Sequence, residues 1–285
     1  MAFTTLIDTD TLSHRLHDPT FTIVDCRFKL DDEHWGARAY AEAHVPGARL
    51  AHLDRDLSGP KNGTNGRHPL PEPSALIATF ARLGIGDNTQ VVAYDQDAGM
   101  YASRLWWLLR WMGHADVAVL DGGFAKWVAE HRPTTAGTTA GPRTTVTFTG
   151  SPRDMTVNAN DVARLVDNPE WRLLDSRAPE RYRGEVEPID RVAGHIPSAT
   201  NHFFKENLDN EGRFLSVNVL RRRLQDAIAG VRPDHVVCYC GSGVTACHDV
   251  LALEHVGLSG ARLYPGSWSE WSSDPARPVE REETT

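Results

Sequence analysis

Short apolar runs alternate with amphipathic stretches along the whole chain, and this alternation indicates the class of fold. The apolar, β-rich runs predict strands at residues 22–25, 90–94, 118–120, 171–175, 236–239 and 262–264. The amphipathic stretches predict helices at residues 73–83, 103–112, 218–229 and 245–256. Apolar strands separated by helices predict an α/β fold, with parallel sheets flanked by helices. In such sheets, ligands bind near the carboxyl ends of the strands.

The second half of the chain repeats the first half in diverged form. Four sequence blocks recur in the same order, at offsets of 144 to 151 residues: 24–27 at 174–177, 43–48 at 194–199, 91–95 at 236–240 and 121–127 at 265–271. Such a repeat predicts two copies of one structural unit. The stretch between the copies is rich in Thr, Gly and Pro, which is typical of a linker. We therefore predict domains at 1–135 and 154–285, joined by a linker at 136–153.

Composition and charge narrow the class of protein. The chain has 285 residues, of which 40% are hydrophobic, so each half can bury a core. A formal net charge of -8 without a Lys/Arg block argues against a nucleic-acid partner. No stretch has the length of a membrane span, the first residues lack a signal-peptide pattern, and four cysteines are too few for a disulfide scaffold. These features predict a cytoplasmic protein without a membrane partner.

Cys240 is the residue whose sequence context most clearly indicates a reactive side chain. It opens the loop Cys-Gly-Ser-Gly-Val-Thr, residues 240–245, between a predicted strand and a predicted helix. Gly241 and Gly243 allow a tight turn in which successive N–H groups face the sulfur, beside the positive end of the helix. Thr245 can cap that helix with its hydroxyl. Because this setting stabilises a thiolate, we predict that Cys240 is a nucleophile, the alternative being a buried structural cysteine.

The two copies differ at the position of the nucleophile. The first copy has Asp95 where the second has Cys240, and residues 96–100 also lack the loop pattern. This asymmetry predicts one catalytic domain and one catalytically inactive domain that helps to shape the site.

The tandem repeat, the single nucleophile and the loop at 240–245 together resemble the two-domain sulfurtransferases of the rhodanese family, in particular the 3-mercaptopyruvate sulfurtransferase type. The resemblance implies two tandem rhodanese-like domains. It also implies transfer of sulfane sulfur from 3-mercaptopyruvate, through a persulfide on Cys240, to a thiol or cyanide acceptor. The loop residues Gly241, Gly243, Val244 and Thr245 are implied to line the substrate site. Relatives that prefer the dianion thiosulfate usually carry basic residues after the cysteine, and this chain has none there.

The resemblance implies a proton relay beside the nucleophile. In this branch of the family the loop serine, here Ser242, is proposed to act with a histidine and an aspartate. The matching positions are His68 and Asp54. A Ser–His–Asp relay would move a proton during cleavage of the carbon–sulfur bond. The alternative is a surface histidine and a loop aspartate without catalytic roles.

The resemblance also implies arginine ligands for the donor. Arg181 matches the family's substrate-binding arginine, and its forked guanidinium suits the adjacent carboxylate and ketone of a 2-oxo acid. The family often has a second arginine just after a Glu-Pro pair. Here Glu187-Pro188 is followed by Ile-Asp, and Arg191 is the displaced candidate, with Arg183 as an alternative.

Other functions remain open on the same residues. They are a thiosulfate:cyanide sulfurtransferase, and a carrier that passes persulfide sulfur to partner proteins such as a thioredoxin-like acceptor. A non-catalytic module would be expected to lack the cysteine at the nucleophile position in both copies, but the second copy keeps Cys240. A Cys-x5-Arg phosphatase would need an arginine where Ala246 stands. Because no His-Glu-x-x-His or paired Cys-x-x-Cys spacing occurs, we expect neither a metal site nor a cofactor.

Overall fold

The computed structural model describes residues 2–96, 98–137 and 146–282, and the chain divides into two compact units. The first unit consists of Met1–Gly59, Pro71–Asp154 and Asn210–Arg213. The second unit consists of Pro60–Leu70, Met155–Asp209 and Phe214–Thr285. The predicted linker at 136–153 includes residues 138–145, which lie outside the described residues.

The segment Pro60–Leu70 belongs to the second unit, although it precedes most of the first unit in sequence. The backbone N–H of Arg67 donates to Ser269 Oγ (3.0 Å), and the Arg67 side chain forms an ion pair with Asp190. These polar contacts hold the segment to the second unit, whereas the predicted domain at 1–135 includes it. The predicted domain bounds stay a prediction.

The first unit contains a five-stranded parallel sheet in the order β1-β5-β4-β2-β3. Its strands are β1 (Leu6–Ile7), β2 (Phe21–Asp25), β3 (Arg49–Leu50), β4 (Gln90–Tyr94) and β5 (Val117–Leu120). Its helices are α1 (Thr9–Ser13), α2 (Trp35–Glu42), α3 (Leu53–Asp56), α4 (Pro73–Arg82), α5 (Ala102–Trp111) and α6 (Gly123–Ala129). Every residue of β2, β4 and β5 is buried, which is why apolar residues predominate in these strands.

The second unit contains a four-stranded parallel sheet in the order β7-β6-β8-β9. Its strands are β6 (Arg172–Asp175), β7 (Thr200–Asn201), β8 (Val236–Tyr239) and β9 (Arg262–Leu263). Its helices are α7 (Ala159–Leu165), α8 (Pro179–Tyr182), α9 (Val217–Ile228), α10 (Ala246–His255) and α11 (Ser267–Trp271), with 3-10 turns at Phe204–Asn207 and Pro233–His235.

The two sheets have the same topology, as the sequence repeat predicts. A parallel bridge between Thr156 and Leu263 in the second unit stands where β1 pairs with β5 in the first unit. The α/β prediction of two domains with parallel sheets and flanking helices is therefore confirmed. Among the described residues, no helix combines the length and the apolar character that a membrane crossing requires.

A buried ion pair braces one strand end in each unit. Arg27 binds Asp25 at the end of β2 (2.7 Å), and Arg177 binds Asp175 at the end of β6 (2.6 Å). All four side chains are at most 5% exposed. Since the pair recurs in the unit without the cysteine loop, we assign it a structural role that fixes the loop after each strand.

Candidate active site

Cys240 directly follows β8, and the loop after it turns its backbone toward the sulfur. The N–H of Gly243 donates to Cys240 Sγ at 3.2 Å, and the N–H of Ser242 does so at 3.5 Å. Two convergent backbone N–H groups form an anion-binding concavity that suits a thiolate. The predicted orientation of the loop amides is therefore confirmed. Cys240 is only 2% exposed, so bulk water is largely kept from its sulfur.

The two glycines of the loop serve different purposes. Gly243 has a φ of +75°, and a Cβ there would lie 2.3 Å from the carbonyl oxygen of Pro265. Gly243 thus provides the tight turn, as predicted. A Cβ on Gly241 would lie 2.7 Å from Arg67 Nη2 and 3.4 Å from Arg181 Nη1. For Gly241 the predicted reason is incomplete, because its missing side chain leaves room for two guanidinium groups above the loop.

The first turn of α11 holds the backbone of the nucleophile. The N–H groups of Trp268 and Ser269 donate to the carbonyl oxygens of Cys240 (2.9 Å) and Gly241 (3.0 Å). The N–H of Cys240 itself donates to Ser267 Oγ (3.1 Å). These bonds fix the peptide planes around Cys240.

Ser267 is a supporting residue that the sequence reasoning missed. It is fully buried and has a φ of 52°, a left-handed conformation that is costly for a residue other than glycine. The repeat contained a usable signal, because the equivalent residue of the first copy is Gly123, with a φ of 57°. A serine in a position that suits glycine indicates that its hydroxyl is needed.

Thr245 does not cap α10 in the way that we predicted. It occupies the N-cap position, but its side chain makes no capping hydrogen bond. Its backbone is already helical (φ -70°, ψ -20°), whereas a capping side chain usually requires an extended backbone. Val244 is buried, and its carbonyl oxygen accepts the N–H of Cys247 (3.1 Å). Roles of Val244 and Thr245 in substrate binding stay predictions.

Two of the three predicted relay residues are in contact. His68 Nδ1 lies 2.7 Å from Ser242 Oγ, and both residues are buried. This contact places an imidazole and a hydroxyl next to Cys240, because Ser242 also donates its N–H to the sulfur. The third residue, Asp54, lies in α3 of the first unit, where its N–H donates to His52 Nδ1 (3.1 Å). The participation of Asp54 in a relay stays a prediction.

Arg181 lies in α8 and is held by two carboxylates. Its Nε and Nη2 bind Glu187 at 2.7 to 3.2 Å, and Nη2 also lies 3.3 Å from Asp190. Asp190 in turn pairs with Arg67. Burial raises the pKa of Glu187, but hydrogen bonds from Arg181 and from the Asp190 N–H outweigh burial, so its pKa lies below the usual value. The carboxylate of Glu187 therefore stays charged and orients the guanidinium of Arg181.

Arg191 is exposed, in contrast to Arg67 and Arg181. It lines a groove of about 670 Å³ together with Arg67 and Asp190. Arg183, the other alternative, pairs with Glu185 at the surface (2.7 Å). A role for Arg191 in substrate binding stays a prediction. Arg67, which pairs with Asp190 and lies close to Gly241, was not singled out by the sequence reasoning.

The other cysteines have environments that differ from that of Cys240. Burial, reinforced by nearby carboxylates, raises the pKa of the Cys26 and Cys238 thiols well above the ordinary value. Cys247 donates its S–H to the Gly243 carbonyl oxygen (3.2 Å). Within the described ranges, no group of three or more His, Cys, Asp or Glu side chains has the arrangement of a metal site.

Comparison with known proteins gives the family. The model of the rhodanese-like domain matches twice, at residues 8–130 and 158–274. A Pseudomonas aeruginosa protein named "Probable 3-mercaptopyruvate sulfurtransferase" is 45% identical over 282 residues, which cover 98% of this chain and 99% of that protein. The thiosulfate sulfurtransferase of Cricetulus griseus is 33% identical, over 89% of this chain and 85% of that protein.

A solved structure extends the comparison to three dimensions. The 3-mercaptopyruvate sulfurtransferase from Leishmania major matches with a TM-score of 0.83 and 29% identity, over 94% of this chain and 74% of that one. The chain belongs to the rhodanese family of sulfurtransferases, with the domain present in two copies.

Proposed function

We propose that the protein transfers sulfur from 3-mercaptopyruvate to a thiol acceptor through a persulfide on Cys240. One observation carries this proposal: Cys240 Sγ accepts two backbone N–H groups while Arg181 stands over the next residue of the loop, Gly241. The site thus joins a stabilised sulfur nucleophile to a group that binds carboxylates.

The first half-reaction forms a sulfur–sulfur bond and breaks a carbon–sulfur bond. The Cys240 thiolate attacks the sulfur of 3-mercaptopyruvate, and the electron pair of the C–S bond passes to C3, which leaves as the enolate of pyruvate. A proton then adds to C3 to give pyruvate. His68 and Ser242, 2.7 Å apart, are the groups that we assign to this proton transfer.

The second half-reaction regenerates the nucleophile. An acceptor thiolate attacks the outer sulfur of the persulfide, and the electron pair of the S–S bond returns to the Cys240 sulfur. The loop N–H groups that bind the thiolate stabilise this leaving group. Cyanide can accept sulfur in the same way and gives thiocyanate. Two successive half-reactions predict ping-pong kinetics.

Thiosulfate is the second candidate donor. It is favoured by the relatives named thiosulfate sulfurtransferase and by the two guanidinium groups near Gly241, which suit a dianion. Against it, the sulfite that leaves from thiosulfate is not a carbanion and needs no protonation. A reaction with thiosulfate would therefore require no proton transfer by the His68–Ser242 pair. A thioredoxin-like protein that carries the sulfur onward is a further candidate acceptor.

Steady-state kinetics with the two donors test the proposal. We expect kcat/KM to be higher for 3-mercaptopyruvate than for thiosulfate, with the same thiol acceptor in both assays. A higher value for thiosulfate would assign the protein to the other donor class.

A further inference from the structure

The groove of about 670 Å³ that Arg191 lines opens beside the loop of the nucleophile, and all of its lining residues belong to the second unit. Arg67 and Ser269 form its inner end. The Ser269 N–H donates to the Gly241 carbonyl oxygen (3.0 Å), and Arg67 Nη2 lies 2.7 Å from the position of a Cβ on Gly241. The groove therefore begins at the residue that follows Cys240, and its volume is in the range of small-molecule sites.

The charges that line the groove do not balance. At the inner end Arg67 and Asp190 form an ion pair, and Asp190 is the only carboxylate of the groove among the described residues. Lys61 and Arg191 also line the groove, and both are exposed. Arg191 forms no ion pair within the part of the chain that the structure describes. The mouth of the groove thus carries positive charge and favours an anionic ligand.

Three serines add hydrogen-bond acceptors to the groove, namely Ser269, Ser272 and Ser273. Each hydroxyl donates to the backbone carbonyl oxygen three or four residues before it, at 2.7 to 3.2 Å. A hydroxyl group has one donor and two lone pairs, so these groups have only acceptor capacity left for a ligand. The groove therefore combines cations with acceptors for N–H groups.

A short peptide with free carboxylates has the chemistry that fits this combination. Its carboxylates suit Lys61 and Arg191, and its amide N–H groups suit the serine hydroxyls. A neutral thiol would gain nothing from the positive charge, and an inorganic anion without N–H groups would gain nothing from the serines.

We propose that the groove binds the sulfur acceptor, and that this acceptor is a thiol on a short anionic peptide, recognised through Arg191. A peptide in the groove can present its thiolate to the persulfide on Cys240. The thiolate attacks the outer sulfur and forms a new S–S bond, while the electron pair of the old S–S bond returns to the Cys240 sulfur. The product is a persulfide of the peptide. The proposal rests on the proposed function, since it names the acceptor of the second half-reaction.

The first test measures binding without sulfur transfer. S-methylglutathione is a short anionic peptide without a thiol, and calorimetry gives its dissociation constant. We expect Arg191→Glu to weaken its binding by about 5- to 20-fold, because an attraction becomes a repulsion. The matched control is Arg232→Glu, since Arg232 is 72% exposed and precedes β8, at the end of the strand away from Cys240. The control should change the constant by less than about twofold. Absence of binding to the unaltered protein, or equal effects of the two variants, would overturn the proposal.

The second test measures transfer in a single turnover. Cys240 is loaded with sulfur from 3-mercaptopyruvate or thiosulfate, the donor is removed, and the protein is mixed with a thiol. With glutathione, Arg191→Glu should raise the concentration for half-maximal rate by the same factor and leave the rate at saturation unchanged. With the neutral 2-mercaptoethanol the rate should change by less than about twofold. Equal losses with both thiols would show that Arg191 does not recognise the charge of the acceptor, and the proposal would be wrong.

Two other results would also overturn the proposal. If Arg191→Glu slows persulfide formation from 3-mercaptopyruvate as much as it slows transfer to glutathione, Arg191 acts on the donor. If it slows transfer to reduced thioredoxin but not to glutathione, the groove docks a protein instead of a short peptide.

The two tests separate this proposal from the proposed function. If 3-mercaptopyruvate does not load Cys240, the proposed function fails, whereas loading with thiosulfate still allows transfer to be measured. The dissociation constant of S-methylglutathione requires no sulfur on Cys240, so it tests the groove even if neither donor reacts.

Discussion

Asp95 and Cys240 hold equivalent positions in the two units, and each accepts hydrogen bonds from the backbone of its own loop. Cys240 Sγ accepts the N–H groups of Ser242 and Gly243, whereas the Asp95 carboxylate accepts those of Gly99, Tyr101 and Ala102 at 2.7 to 3.0 Å. In the first unit the side chain of Asp95 thus takes the place of the cysteine sulfur. The Asp95 oxygens accept hydrogen bonds from backbone N–H groups of this loop, which explains why the loop keeps its turn although it has no nucleophile.

The scaffold around the two loops is also shared. The N–H of Phe124 donates to the Asp95 carbonyl oxygen, as the N–H of Trp268 does to that of Cys240, both at 2.9 Å. The first unit has therefore kept the architecture of the site and changed the group at its centre.

We predict that Asp95→Ala destabilises the first unit. The substitution leaves three buried N–H groups without their charged acceptor, and we expect a loss of about 2–4 kcal/mol in unfolding free energy. Chemical denaturation measures it. Asp95→Asn is the matched control and should lose less, because its amide oxygen still accepts. Equal stability of the Ala variant and the unaltered protein would contradict the structural role of Asp95.

We predict that His68→Gln slows turnover of 3-mercaptopyruvate by about 100-fold, the typical contribution of a general acid or base. Turnover of thiosulfate should fall much less, because sulfite leaves without protonation at carbon. Steady-state rates with both donors check this. Ser242→Ala should give the same pattern, and the double variant should lose little more, since the two residues act as a unit. Equal losses with both donors would refute the assigned proton transfer.

We predict that Ser267→Ala lowers kcat and also lowers stability by about 1–2 kcal/mol. The Cys240 N–H loses its acceptor, while the backbone strain at residue 267 remains. Ser267→Gly loses the same bond but relieves the strain, by about 1 kcal/mol. Thermal unfolding should therefore rank Gly above Ala, with kcat reduced in both. A kcat unaffected by either substitution would rule out a positioning role.

We predict that Asp249 makes stability depend on pH. Burial raises the pKa of this carboxyl to about 6, although Asn207 donates to it (2.7 Å). Because the folded value lies above the unfolded one, the folded state binds the proton more tightly, and stability falls as pH rises from about 4 to 6 and stays low above that. The full effect is about 3 kcal/mol.

The substitution Asp249→Asn isolates this effect. Its stability relative to the unaltered protein should increase on going from pH 4.5 to pH 7.5, values on either side of the raised pKa of about 6. The exposed Asp226→Asn is the control and should show no such trend. Parallel pH profiles for the Asp249→Asn variant and the unaltered protein would mean that Asp249 does not titrate in this range.

The sequence allowed the central strands and the loop of the nucleophile to be predicted, because their signals are local. β8 is an uninterrupted apolar run, β4 is apolar after its first residue, and Gly243 specifies the turn after Cys240. Short elements such as β3 and α8, of two and four residues, carry too few positions for a period to be recognised.

The parts of the site that escaped prediction depend on contacts between distant segments. Arg67 and Asp190 are 123 residues apart, and nothing in the sequence around either one indicates the other. The contact between His68 and Ser242 spans 174 residues and was accessible only through the family resemblance. Ser267 was detectable in principle, since the repeat aligns it with a glycine.

Mass spectrometry of the protein after brief exposure to 3-mercaptopyruvate tests the central claim most directly. We expect one additional sulfur atom, located on the peptide that contains Cys240, and its loss when a thiol acceptor is added. The Cys240→Ser variant should gain no sulfur and should not turn over. Sulfur on Cys26, Cys238 or Cys247 instead, or turnover that survives Cys240→Ser, would contradict the persulfide mechanism proposed for this protein.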